Sequence, residues 1–190
     1  NQWNFQTVVS DARTNVLLID QHPRWEFRYL RNLFYGRDQS IHLQSVLLKP
    51  DRISGHTPPK VVASASRPFG DANATHLPES EDEWRKFDVI IIGDIGPDSL
   101  SNEQWNILSS CVKERAALLV LVAGPESMPH AFDSDVAKEL IPVNYESSRR
   151  TFYGSDETFR FALTNTGRNH PITAQVEGQM NNEKLWKEFP

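Results

Sequence analysis

The sequence has little cysteine and no long apolar run. Cys111 is the only cysteine among 190 residues, which excludes an intrachain disulfide and a cysteine-based zinc cluster. No stretch approaches the ~18 consecutive apolar residues that a membrane-spanning helix needs. The first residues, Asn1-Gln2-Trp3, do not have the pattern of a signal peptide. We therefore expect no direct membrane insertion by this chain.

Positive charge and phosphate-binding loops are also scarce. Lys and Arg number 20 against 25 Asp and Glu, which gives a net charge of −5 at pH 7. A negative protein repels a polyanionic duplex, so nucleic acid is not an expected partner. The loops G-x-G-x-x-G and G-x-x-x-x-G-K-[ST] are missing, and no two histidines have the spacing H-x-H or H-x-x-x-H. The sequence therefore predicts no cofactor and no metal.

The apolar content is sufficient for one substantial core. At 38% apolar residues, a chain of this length predicts a single domain over residues 1–190 with its core at about 14–175. Residues 51–79 are rich in Pro, Ser, Gly and Ala and predict a long loop or excursion, and residues 176–190 predict a C-terminal arm. Because the chain starts without methionine, we expect it to be part of a longer protein.

Alternation of apolar runs with helical patterns predicts the fold class. Val16–Ile19, Val89–Ile92 and Ala117–Ala123 are continuous apolar runs, typical of strands covered on both faces. A further strand is predicted at Leu43–Leu48, and helical spacing separates the runs. This order predicts an α/β fold with a doubly wound, mostly parallel open sheet and helices on both faces. The alternating pattern at 159–164 predicts an antiparallel edge strand near the C-terminus.

Polar residues follow the predicted parallel strands. Asp20 and Asp94 each end an apolar run, and Glu126 and Ser127 follow the third run in a Gly124-Pro125 turn. Ligands of doubly wound sheets bind where the strands end, so these four residues are candidates for ligand contact. Two neighbouring acids could instead bind Mg²⁺ or Ca²⁺, or each could cap the helix that follows it.

Arginines form a second candidate group. Arg24, Arg28 and Arg31 are spaced four and three apart, hence on one helical face, where they could bind a small anion such as phosphate or form salt bridges with neighbouring loops. Nucleophiles are few. Cys111 falls on the apolar stripe of its own predicted helix, and Ser127 could be activated by His130 only if the loop folded back.

Three stretches resemble a known superfamily. "VLLIDQHPRWEFRYLRNLF", "FDVIIIGDI" and "LSNEQWNILSSCVKERAALLVLVAGPESMP" are similar to the class I glutamine amidotransferase-like superfamily, whose fold is flavodoxin-like. More narrowly, they resemble amidotransferase-like domains embedded in large bacterial envelope proteins, often near von Willebrand type A or immunoglobulin-like modules. The resemblance spans residues 14–190, and the Pro-Arg-Trp-Glu-Phe-Arg corner is its most specific part.

The resemblance supports the fold and argues against the activity. It implies a cysteine nucleophile at the turn after the third strand, but this turn reads Ala123-Gly124-Pro125-Glu126-Ser127. His170-Pro171 is similar to a catalytic His-Pro step, but no thiolate is present for it to activate. Arg115-Ala116-Ala117 replaces the glycines that usually precede the strand.

Two functional hypotheses follow. The first is a catalytically silent binding or scaffolding module of an envelope-associated parent protein, whose partner is a neighbouring module, another protein or a small anion; Trp3, Trp186 and Phe189 would form its contact patch. The second is a hydrolase or transferase that uses the polar residues at the strand ends, which requires a concave pocket. The localisation of the chain itself is left open.

Overall fold

The chain folds into two compact units, Asn1–Ser147 and Ser148–Pro190, which are described separately. A computed structural model describes residues 13–37, 40–50, 62–65, 76–143 and 162–188.

A five-stranded sheet forms the centre of the first unit. Its strands, in chain order, are β1 (Thr14–Asp20), β2 (Ile41–Leu47), β3 (Val62–Ala65), β4 (Val89–Ile92) and β5 (Leu118–Leu121). The order across the sheet is β3-β2-β1-β4-β5, in which β2, β1, β4 and β5 are parallel and β3 is antiparallel to β2. The predicted α/β class with a mostly parallel sheet is confirmed.

The apolar runs of the sequence become strands that are buried on both faces. Leu17 and Ile19 of β1 are fully buried on one face, and Val16 and Leu18 are buried on the other. Because successive side chains of a strand point to opposite faces, an unbroken apolar run requires a covering layer on each side.

Helices supply both layers. Phe27 of the first helix packs on the face of Val16 and Leu18, whereas Trp84 and Trp105 of later helices pack on the face of Leu17 and Ile19. Over its described residues, the helices of this unit are α1 (Trp25–Asn32), continued by a π-helical turn (Leu33–Arg37), then α2 (Glu81–Trp84), a 3₁₀ turn (Pro97–Ser99), α3 (Asn102–Arg115) and α4 (Asp135–Leu140).

The start and end of α3 follow from its terminal residues. Ser101 accepts a hydrogen bond from the Gln104 amide, and the Gln104 side chain accepts one from the Ser101 amide, which is a capping box. At the other end Ala116 adopts a left-handed conformation, with φ of 57°. A side chain is unfavourable there and glycine is the usual residue, which makes Ala116 a strained helix end.

The structure describes two of the regions expected to be irregular or at an edge only in part. The segment 51–79, expected to be a loop or excursion, contributes the short edge strand β3, while residues 51–61 and 66–75 lie outside the described part of the chain. Of the antiparallel strand predicted at 159–164, residues 159–161 also lie outside it, and residues 162–164 belong to no strand. The antiparallel edge that the structure describes therefore comes from the middle of the sequence.

The second unit is described over residues 162–188. It contains two 3₁₀ turns, Gly167–Asn169 and Pro171–Thr173. Helix α5, Gln179–Glu188, follows and lies within the predicted C-terminal arm. The Thr173 carbonyl accepts hydrogen bonds from Asn182 Nδ2 and Trp186 Nε1, both at 2.9 Å. His170 Nδ1 accepts a hydrogen bond from the Ile172 amide, so this histidine caps a turn.

Among the described residues, no helix has the length and apolarity to span a bilayer.

Candidate functional site

The strand ends of β1, β4 and β5 lie at one edge of the sheet. Ile19 of β1 pairs with Ile92 of β4, which pairs with Leu121 of β5, so the residues that follow them emerge side by side. The chain runs from β1 to β2 on one side and reaches β4 on the other, which makes the β1/β4 boundary a topological switch point. Crevices at such points bind ligands in doubly wound proteins, so this edge is the candidate site.

Asp94 binds the turn that follows β5. The residue is 1% exposed, and its carboxylate accepts hydrogen bonds from the amides of Glu126 at 2.8 Å, Ser127 at 2.7 Å and Met128 at 2.7 Å. The turn is closed by a bond from the Gly124 amide to the Met128 carbonyl. Three convergent amides form a typical anion-binding cradle, and here an internal carboxylate occupies it.

Glycine at position 124 makes this arrangement possible. A Cβ atom there would overlap the carboxylate of Asp94, and a Cβ atom at Gly93 would likewise overlap the carboxylate of Asp20. The two glycines lie at the ends of neighbouring strands and each allows one aspartate to approach the backbone closely.

Asp20 is bound mainly by a side chain. Its carboxylate, in a residue that is 1% exposed, accepts hydrogen bonds from Arg24 Nε at 3.2 Å and Nη2 at 3.0 Å, and from the Gln21 amide at 2.8 Å. Arg24 Nη1 also donates to the Ala123 carbonyl at 3.3 Å and thereby joins the β1 corner to the β5 loop. Burial raises the pKa of the Asp20 carboxyl, and the hydrogen bonds and charge of Arg24 offset only part of that rise.

Two residues that sequence reasoning missed complete the edge. Gln21 is buried, and its Oε1 accepts hydrogen bonds from the Gly96 amide at 2.8 Å and from Ser99 Oγ at 3.3 Å. His22 Nε2 lies 3.6 Å from Glu126 Oε2, and both side chains are substantially exposed. The signal that could have identified Gln21 and His22 is their position, because they directly follow the residue that ends β1.

The structure brings most of the predicted site residues together. Asp20, Arg24, Asp94, Glu126 and Ser127 all lie at this edge, whereas Arg28 is exposed and lies one turn farther along α1.

The outcome for individual roles is mixed. The alternative to ligand binding is that each aspartate caps the helix after its own strand. Neither aspartate accepts its hydrogen bonds mainly from that helix. Asp94 accepts amide hydrogens from the turn after a neighbouring strand, and the N-cap of α1 is Arg24, which makes no capping bond through its side chain. His130 Nε2 lies 3.1 Å from the Glu126 carbonyl oxygen, so the loop directs it to backbone and does not present it as a base for Ser127.

The remaining chemistry of the described residues is limited. Burial raises the pKa of the Cys111 thiol, which lies within the core on α3, so the reactive thiolate is disfavoured. No group of three or more His, Cys, Asp or Glu side chains in the described ranges is arranged to hold a metal ion.

The outer surface of α1 is aromatic and exposed. Trp25 is 74% exposed and Tyr29 is 70% exposed, with their ring centroids 6.1 Å apart. The Arg31 guanidinium lies 5.5 Å from the ring centroid of Tyr35, which is also exposed. With this exposure, the side chains of Trp25 and Tyr29 do not pack against the sheet. Of the predicted patch, Trp3 and Phe189 lie outside the described residues, and Trp186 is half-buried.

Comparisons of the chain with protein-family models, with curated proteins and with solved structures find no match. The site must therefore be interpreted from its own geometry.

Proposed function

We propose that this chain is a catalytically silent domain with the flavodoxin-like, class I amidotransferase-like form of the α/β fold. In this proposal it serves as a ligand- or protein-binding and scaffolding module of a larger envelope-associated protein. The observation that carries the proposal is the position of Asp94, whose carboxylate already occupies the amides of the Glu126–Met128 turn.

That occupation bears directly on catalysis. Acyl transfer requires backbone amides directed at the oxyanion that forms on the substrate, beside a nucleophile. At the turn where the family resemblance implies a nucleophile, the amides are bound to an internal anion, and Glu126-Ser127 takes the place of a cysteine. Arg24, which donates to the Ala123 carbonyl just before this turn, is also bound to Asp20. Asp20, Arg24 and Asp94 are thus engaged in holding the loops of this edge together.

The surface of α1 supports the binding half of the proposal. Two adjacent aromatic side chains that remain about three-quarters exposed are unusual on a surface with no partner, because their burial is strongly favourable. Trp and Tyr are also the residues that contribute most to the energy of protein interfaces. We therefore assign partner binding to Trp25 and Tyr29.

Two measurements test the proposal: one tests the expected lack of activity at the strand ends, and the other tests partner contact at the α1 surface. The chain should release no ammonia from glutamine and form no covalent adduct with an electrophilic glutamine analogue. In the native host, a photo-crosslinking amino acid at Tyr29 should give a discrete protein adduct that Trp25→Ala abolishes, and the same probe at the exposed Val143 should not. Ammonia release, or equal adducts at both positions, would refute the proposal.

A hydrolase or transferase is the alternative, and one observation favours it. A buried carboxyl with a raised pKa at a switch point, as at Asp20, is a common property of general acids. In that case Ser127→Ala should abolish turnover of an ester or amide substrate while the Glu126–Met128 turn stays folded. If no turnover by the unsubstituted chain can be measured, this alternative fails.

A small anion is the remaining partner in the proposal. Because Arg24 is already paired, phosphate or acetate must compete with Asp20 for its guanidinium. We expect millimolar phosphate to change the melting temperature by less than about 1 °C, measured by thermal shift. A larger increase that Arg28→Met removes would place an anion site on α1.

A further inference from the structure

Strand β5 is an apolar edge strand of the sheet that residues 13–143, in their described parts, leave unpaired on its outer side. It lies at the end of the strand order, and within the described part of the chain no strand pairs with its outer side. Whereas the Ile residues of β4 are buried, all of β5 is partly exposed, and Leu118 is 57% exposed. The stretch 116–123, Ala-Ala-Leu-Leu-Val-Leu-Val-Ala, has no charged residue.

The backbone of β5 has hydrogen-bonding groups that face outward. The Leu118 amide donates to the Asp88 carbonyl and the Val122 amide donates to the Ile92 carbonyl, so these residues face β4. Because the direction alternates along a strand, the amides and carbonyls of Leu119 and Leu121 face away from the sheet. Edge strands of monomeric proteins are commonly protected by charge, proline, a bulge or short length. Between Ala116 and Ala123 there is no charge and no proline, so the short length of β5, Leu118–Leu121, is the one of these protections that it has.

We propose that β5 pairs antiparallel with β5 of a second copy of this chain, about a two-fold axis at Val120, to form one continuous sheet. In this register the outward groups of Leu119 bond to those of Leu121 in the second copy. Val120 faces Val120, and the exposed Leu118 faces Val122. Every side chain on this strand therefore meets an apolar side chain, which is the self-complementarity that a two-fold interface requires.

The side chains indicate the same partner as the backbone. Val120 and Val122 are partly buried against the cluster on the α1 face, and Leu118 extends the same row into solvent. A strand of another sequence could satisfy the backbone, but a second β5 also covers Leu118 with an apolar residue and adds no unpaired charge. The inference is independent of the proposed binding role of α1.

Oligomeric state and crosslinking together test the proposal. The chain should be a dimer by sedimentation velocity, and Leu118→Lys should weaken dimerisation at least about tenfold, because the lysine would face Val122 across an apolar row. Leu33→Lys is the matched control, since Leu33 is a similarly exposed leucine, at 45%, on the π-helical turn after α1. Circular dichroism verifies that both variants fold.

The register is tested by Val120→Cys. Opposed residues of a non-hydrogen-bonded antiparallel pair are close enough for a disulfide, so this variant should crosslink to itself under mild oxidation. Glu103→Cys, on the surface of α3, should not crosslink, and Cys111 gives no background because it is 1% exposed.

Each other outcome overturns the proposal. A monomer at all concentrations would overturn it, and protection of the Leu119 and Leu121 amides from hydrogen exchange in that monomer would show that another part of the same chain covers β5. A dimer that Leu118→Lys does not weaken would place the interface elsewhere. Loss of dimerisation in Leu118→Lys without a Val120→Cys crosslink would overturn the register.

Discussion

Asp20 and Asp94 occupy equivalent places in the sequence and have different partners. Each closely follows a buried parallel strand run, each is 1% exposed, and each lies against a glycine that leaves room for its carboxylate. Asp20 is held mainly by the guanidinium of Arg24, whereas Asp94 is held by three backbone amides. The pattern of an apolar run followed by aspartate therefore predicts where a carboxylate lies, but it does not predict which donor binds it.

The difference has an energetic meaning. Forming a buried salt bridge removes two charges from water. Its net contribution to stability is the attraction between the charges minus the free energy lost in their desolvation. Backbone amides carry no full charge, and once buried they require an acceptor whatever happens to the carboxylate. Removing Asp94 should thus cost more than separating Asp20 from Arg24.

The largest effect is expected from Asp94→Ala. The substitution leaves three inward-facing amides without an acceptor, so the free energy of unfolding should fall by about 3–5 kcal/mol. Urea denaturation measures this, with the exposed Asp98→Ala as a control expected to stay within about 0.5 kcal/mol. Equal effects of Asp94→Ala and Asp98→Ala would show that the three amide bonds to Asp94 contribute no net stability.

Gly124→Ala should have the next largest effect. Its Cβ would collide with the Asp94 carboxylate, which is fixed from three sides, and we expect a loss of about 2 kcal/mol. Gly96→Ala is the matched control, because its Cβ would lie 3.2 Å from Gln21 Oε1, a contact that a shift of a few tenths of an ångström relieves. Thermal unfolding should rank Gly124→Ala well below Gly96→Ala in stability. The reverse order would mean that Asp94 is free to move.

Arg24→Met tests the other corner and its pH dependence. Native Asp20 keeps its proton to a higher pH than unfolded Asp20, because its pKa is raised by burial. Stability from this group is therefore complete below the unfolded pKa and is lost as the pH rises through the folded pKa. Without Arg24 the pKa should rise further, so the loss of stability, about 1–2 kcal/mol, should increase as the pH rises through the folded pKa.

The control for that experiment is Arg28→Met, on the exposed side of α1, which should leave the pH profile unchanged. A pH-independent effect of Arg24→Met would show that its methylenes, and not its charge, matter.

The smallest effect is expected at the link between the corners. His22 and Glu126 are 3.6 Å apart and both exposed, so Glu126→Gln should change stability by less than about 0.5 kcal/mol. A double-mutant cycle with His22→Gln, at low and high salt, measures the coupling. A coupling above about 1 kcal/mol would mean that the two corners are a single unit.

The sequence predicts the buried strands and the helix starts, but it does not predict which distant groups bind the site residues. Apolar runs such as Val89–Ile92 identify buried parallel strands because both faces require cover, and the Ser101–Gln104 pair identifies the start of α3 from local bonding. The strand ends then follow from the topology. The donors of Asp94 lie more than thirty positions away, in a turn whose conformation has no local sequence signal.

The edge strands illustrate the same limit. β3 is short and lies in a segment rich in Pro, Ser and Gly, where no sustained period distinguishes four paired residues from a loop. The exposure of Trp25 could not be predicted either. A helical pattern shows which residues share a face, but it does not show which face another element covers.

The carboxylate of Asp94 is tethered to the anion cradle that it fills. A tethered group acts at a high effective concentration. Free phosphate or a substrate carboxylate must therefore displace Asp94 before it can bind the amides of this turn. Any descendant of this chain that acquired chemistry here would first have to lose that aspartate, and would become less stable before it became active.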